Sequence, residues 1–183
     1  MMRNTLSTRS AGSIPWQLLT TAYGRGTDIP SLIETGQYEE LANLIEHQST
    51  LWQTTPWVLL VLLDQLTEKK PEQVTSQEID LYLAVASAIL VDHMDPLNTV
   101  ETMEGLLVEE YLWPENEEDD EVLWEEEEPP GYEEQPFFSY YYFSYLLLKE
   151  ATPVFVEIMD SNDQLAPAIR ELLLSLDPEG VSE

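Results

Sequence analysis

TTPWVLLVLLDQLTEKKPEQVTSQEIDLYLAVASAILV, residues 54–91, decides the class of fold. Thr55 followed by Pro56 reads as a helix cap and a first-turn proline: the Thr oxygen can take an amide that has no partner inside the helix, and Pro has no amide to leave orphaned. The spacing predicts a helix to about Thr67, ended by the KKPEQ stretch. Thr75 and Glu78 then stand three apart, the Thr-x-x-Glu box in which each side chain serves the other's backbone amide. The apolar run behind them, IDLYLAVASAILV, predicts a helix to about His93. The most apolar segment, residues 56–63, has less than half of the roughly 20 residues a membrane-spanning helix needs.

The same signals extend outward on both sides. Ser13 and Pro15 predict a helix through Tyr23 with Gly24 as its stop. Asp28 stands at an N-cap before Ile29 and Pro30, with Gly36 closing that short helix. Leu41, Leu44, Ile45 and Gln48 fall at i, i+3, i+4 and i+7 of a helix over residues 37–48. Asp95 and Pro96 restart the chain as a helix to about Leu112, PFFSYYYFSYLLLKEA begins another, Thr152 and Pro153 cap one through Met159, and residues 164–176 complete the set. Strand-like alternation is nearly absent. Eight or nine helices with short connections predict an all-α fold of stacked helical hairpins: a single helical domain over residues 13–177 with an acidic loop at 114–136, a flexible N-terminus at 1–12 and a tail at 178–183.

Two segments resemble bacterial proteins with HEAT-type helical repeats. Trp16, Leu19, Ala22-Tyr23-Gly24, Asp28-Ile29-Pro30, Leu32 and Ile33 are similar to that family's W-x-x-L-x-x-A-Y-G-x-x-x-D-[VI]-P-x-L-L opening. His47-Gln48-Ser49-Thr50-Leu51-Trp52, with Thr54, Pro56 and residues 58–60, is similar to its H-Q-G-T-x-Y connection, Ser49 standing where the family usually has Gly. The resemblance covers about residues 14–66, and TPVFVEIMDSNDQLAPAIRELLLSL adds a generic unit of HEAT type. It implies a HEAT-like α-solenoid that binds proteins, of a kind found beside bacterial defence and toxin genes, and it implies no catalytic residues.

Charge narrows the function classes. The formal net charge is -29, and residues 71–148 hold twenty-one Asp and Glu without one Lys or Arg. Such a field repels nucleic acid and anionic membranes and attracts cationic surfaces over about 8 Å at physiological salt. The expected partner is a basic protein, with no direct nucleic acid and no membrane. There is no Cys, hence no disulfide, thiolate metal site or Cys nucleophile, and Arg3 and Arg9 are not followed by the apolar run of a signal peptide. The expectation is a soluble, cytoplasmic protein.

Catalytic wording is missing. Neither G-x-S-x-G nor a phosphate loop occurs, and Gly24-Arg25-Gly26 lacks the strand and spacing of a nucleotide site. His47 lies in a connection where an imidazole serves exposed carbonyls. His93, beside Asp92 and Asp95, is accounted for by a helix C-terminus, whose dipole favours a cation. The acidic stretch lacks the Gly turn and alternating Asp of a calcium loop. No metal, no cofactor and no enzymatic activity are expected.

WPENEEDDEVLWEEEEPPGYEE, residues 113–134, has twelve carboxylates, two Trp and a Tyr. An entropic spacer has little that rewards ordering, whereas Val122, Leu123 and Trp124 can pin such a loop to the body. The candidate partner-binding residues are Glu115, Glu117, Glu118, Asp119, Asp120, Glu121, Trp124, Glu125, Glu126, Glu127, Glu128 and Tyr132. The leading expectation is an acidic inhibitor, an immunity protein that neutralises a bacterial toxin with a basic or nuclease-type active site. The alternatives are a HEAT-type scaffold with a solubilising acidic loop and a DNA mimic that disarms a defence nuclease. FFSYYYFSY, residues 137–145, reads either as core or as interface.

Overall fold

Where apolar residues recur at helical spacing, the chain coils. The computed structural model describes residues 6–89, 97–125 and 129–177. Among them are eight α-helices: α1 Ile29–Glu34, α2 Tyr38–Ile45, α3 Thr55–Leu66, α4 Ser76–Ile89, α5 Asp120–Glu125, α6 Glu134–Glu150, α7 Thr152–Ser161 and α8 Ala166–Leu176. The protein is mostly α. Proline occupies the first turn of α1, α3, α7 and α8, where its missing amide costs nothing. No helix among the described residues is long and apolar enough to cross a membrane.

The apolar run of the opening stretch makes α3 the centre of the core. From Thr55 through Leu59, and again at Val61, Leu62, Leu63 and Leu66, its side chains are buried, so nearly its whole circumference is covered. It packs on α6, while α4 packs on α2 and α8, and the consecutive pairs α1/α2 and α7/α8 pack on each other. The aromatic run on α6 divides between two environments. Tyr140, Tyr141 and Phe143 are buried, whereas Phe137, Phe138, Tyr142 and Tyr145 are half-buried.

Three expected helices are corrected. Over residues 13–23 there are only single 3-10 turns, Ala11–Ser13 and Trp16–Leu18, followed by a hairpin of β1 Thr20–Thr21 and β2 Gly24–Arg25 with Thr20 opposite Arg25. Adjacent β-branched threonines favour extended backbone, and Gly24 takes φ 123, which glycine adopts without a Cβ penalty. The helix of residues 37–48 ends at Ile45, because Gln48 (φ 50) and Ser49 (φ 67) turn left-handed and close a hairpin of β3 Glu46–His47 and β4 Thr50–Leu51. The helix expected up to Leu112 is replaced, over its described residues, by 3-10 turns at Met103–Leu107 and Glu109–Tyr111. Tertiary partners decide this last case: the Val100 amide donates to Ser139 Oγ on α6 (2.9 Å), and Met103 and Leu106 are drawn into the core. Asp95, Pro96 and the end of the helix predicted to reach His93 lie outside the described residues.

The capping box forms by half. The Glu78 amide donates to Thr75 Oγ1 (3.2 Å), but the Glu78 carboxylate turns into the core instead of back to Thr75. There, 1% exposed, it accepts from Lys69 Nζ (2.7 Å) and Tyr82 Oη (2.5 Å), and the same ammonium also donates to Tyr38 Oη (2.6 Å). A buried carboxylate is tolerable only with such partners.

Candidate interaction surface

The stretch from Trp113 to Glu125 lies as a strap across the N-terminal hairpin, and one base holds it there. Arg25, at the end of β2, is the only Lys or Arg between Arg9 and Lys69. Its guanidinium binds Asp120 through both ends of the fork, Nε to Oδ2 and Nη2 to Oδ1, each at 2.7 Å. It also donates to the carbonyls of Gln17 (3.0 Å) and Pro114 (2.7 Å) and stands 5.1 Å from the centre of the Trp113 ring. Its side chain is 5% exposed, and hydrogen bonding to Asp120 raises its pKa further. Paired, planar and largely dry, this is the geometry in which an Arg–carboxylate bond is strongest.

Aromatic rings supply the second fastening. Trp124 stacks between Trp113 (6.3 Å, 19°) and Trp52 (5.9 Å, 23°), and Trp52 meets Tyr132 at 5.6 Å. Such contacts add about 0.5–1.5 kcal/mol each beyond the area they bury. The ring N–H groups of Trp52 and Trp113 are buried with no acceptor among the described residues, which costs about 1 kcal/mol or more apiece. The net hold of the stack is therefore smaller than its contacts add up to, and the Arg25 clasp carries the larger share.

Beneath the strap lies a polar knot. Gln53, fully buried, accepts from the Thr20 amide (2.8 Å) through Oε1 and donates through Nε2 to the Tyr111 carbonyl. Tyr132 Oη and Thr20 Oγ1 share a hydrogen bond of 2.9 Å, and Tyr140 Oη donates to the Gly131 carbonyl (2.5 Å). Burial pushes both phenols, Tyr132 and Tyr140, above the usual tyrosine range. Gly131 is required here. It takes φ 86, and a Cβ on it would lie 2.6 Å from Tyr140 Oη and 3.0 Å from the Tyr111 carbonyl oxygen. Gly131→Ala is expected to cost about 3 kcal/mol, from left-handed strain plus overpacking. Urea unfolding checks it, and Tyr140→Phe in the same chain should return part of the loss by removing the nearest atom.

With its aromatic side turned inward, the strap turns its charge outward. Glu115, Glu117, Glu118, Asp119, Glu121 and Glu125 are exposed; Asp120 is drawn into the clasp, and Glu117 reaches Arg25 Nε more loosely at 3.7 Å. The Glu118 amide donates to Asn116 Oδ1 (2.9 Å), and Asp120, Glu121 and Glu125 take their directions from the helical backbone of α5. Trp124 and Tyr132 are both half-buried on the inner side. Glu126, Glu127 and Glu128 lie outside the described residues, as do Asp92, His93 and Asp95. His47 is exposed, its ring edge-on to Tyr23 at 5.8 Å. Among the described residues no three His, Asp or Glu side chains converge as metal ligands would.

Sequence reasoning found the strap's aromatics but missed what receives them: Arg25, Trp52 and Gln53. One signal was available. A single base flanked by glycines, in a chain whose acidic stretch has none of its own, is a natural counter-ion for that stretch.

Compared with family models, with curated proteins and with solved structures, the chain matches none of them.

Proposed function

We propose that this chain is a non-catalytic inhibitor that works by binding: a cytoplasmic immunity protein whose acidic strap docks on a toxin with a basic or nuclease-type active site. The observation that carries the reading is the fixed display of charge, with six exposed carboxylates on a segment clasped by Arg25 and stacked on Trp52. Carboxylates held in place before contact lose little freedom on docking, and their field steers a cationic surface towards them. In this reading Trp124 and Tyr132 hold the strap down rather than stand in for bases, which favours plain charge complementarity over imitation of DNA. The frame is proposed to be a HEAT-like stack of helical hairpins, supported by the consecutive packed pairs α1/α2 and α7/α8.

The test is capture from bacterial lysate on immobilised protein, at physiological salt and at about 1 M, where screening shortens to about 3 Å. A second column carries Glu115→Gln, Glu117→Gln, Glu118→Gln, Asp119→Asn and Glu121→Gln together. A basic protein should be retained by the native chain, released by salt and absent from the substituted column. Retention of the same proteins on both columns, or of proteins that are not basic, sinks the reading.

A further inference from the structure

At the other end of the α3/α6 pair, about 18 Å along the 12 residues of α3 from the strap, the surface opens into a groove of about 520 Å³. That is the size of a small-molecule site. Its floor is apolar, built from Leu60 and Leu63 of α3, Leu147 of α6 and Val154 of α7. Its rim carries Asp64 and Glu150, both exposed and neither in an ion pair among the described residues. Helices α3 and α6 both end here, at Leu66 and Glu150, and α7 begins at Thr152, so two negative dipole ends and one positive end meet beside the two carboxylates. One cation also lines the groove, Arg9, but it is already engaged: Glu104 accepts from its Nε at 2.8 Å, and the Ser13 carbonyl accepts from its Nη1 at 2.7 Å. Among the described residues, the wall that could have drawn an anion is neutralised, and the unpaired side-chain charge lining the groove is all negative.

We infer that this groove binds an amphiphilic organic cation, its apolar body on Leu60, Leu63, Leu147 and Val154 and its ammonium or amidinium group against Asp64 and Glu150. The site is independent of the strap and of any partner docked there. General attraction of cations to so acidic a protein is a different matter, since it would neither saturate at one site nor depend on the shape of the floor.

Calorimetric titration with 4-phenylbutylamine, with 4-phenylbutanoate as its anionic counterpart, tests this at physiological salt. The amine should saturate one site. The Asp64→Asn, Glu150→Gln pair should weaken it about tenfold, and the carboxylate probe should bind at least that much more weakly than the amine. Val154→Trp fills the groove without touching surface charge and should abolish saturable binding. Leu60→Arg, which places the chain's own cation on the floor, should do the same if the Trp variant fails to fold. Amine binding that survives both blocking variants overturns the proposal, as does equal binding of the two probes or the absence of a saturable site.

Discussion

Arg25→Ala is expected to release the strap and to cost about 2–3 kcal/mol of stability. It breaks a forked ion pair and a ring contact at a side chain that is 5% exposed, and it strands the carbonyls of Gln17 and Pro114. The partial exposure of Asp120 keeps the figure at the lower end for a broken pair. Urea unfolding measures the loss, and hydrogen exchange should show it concentrated in residues 113–125. Arg25→Lys should recover less than half of it, since an ammonium cannot reproduce the fork. The variant also separates two accounts of partner binding. It makes the protein one charge more negative while loosening the display, so if fixed geometry matters, affinity for a captured basic partner falls. Were bulk charge sufficient, affinity would hold or rise.

The second large effect belongs to Glu78. Lys69→Met should cost about 3 kcal/mol at neutral pH, because it leaves a carboxylate that is 1% exposed with only hydroxyl support. Removing both charges, as Lys69→Met with Glu78→Gln, should return much of that. The native cluster also sets a pH limit. Burial alone would lower the Lys69 pKa, yet the bonds to Glu78 and Tyr38 prevail and raise it. A base raised on folding contributes stability that is complete below its unfolded pKa of about 10.4 and is lost as pH rises through the folded value. Tyr82 is raised by burial and then by the Glu78 charge, and Tyr140 by burial first. Their share is complete below about pH 10 and falls above it, by roughly 1 kcal/mol per phenol per pH unit. All three act in one direction, so the native protein should keep its stability from neutral pH to about 9 and lose it steeply beyond 10. Denaturant titrations across that range, read beside phenolate absorbance, test it; a gradual decline starting near neutrality would contradict the assignment.

How much of this the sequence disclosed follows from the range of the interactions involved. Helices α3, α4, α6, α7 and α8 were legible because their signals are local. A first-turn Pro and apolar spacing act within one or two turns of the backbone they shape, as does Thr75 at the start of α4. The caps expected from Thr55 and Thr152 do not form: both lie inside their helices, and Thr55 Oγ1 instead donates to the Ile45 carbonyl (2.6 Å) and accepts from the Trp52 amide (2.8 Å). Residues 13–23 misled the same reasoning: Pro15 and an apolar pattern look helical, but the Ala22 amide is spent on the Leu44 carbonyl (2.8 Å) and the Gly26 amide on the Leu19 carbonyl (2.8 Å). Tertiary bonds of that kind outweigh propensity, which is worth tenths of a kcal/mol per residue.

By itself the sequence determined that the protein is mostly helical, that most of its negative charge is concentrated in one region, and that aromatics sit within that region. Only the tertiary structure decided which way those aromatics face and what holds them. Arg25 and Asp120 are 95 residues apart along the chain, and Trp52 and Trp124 likewise come from distant segments, on either side of α3 and α4. A composition can announce that a charge needs a partner, but the partner is chosen by which surfaces meet once the core has formed, and no local periodicity encodes that meeting.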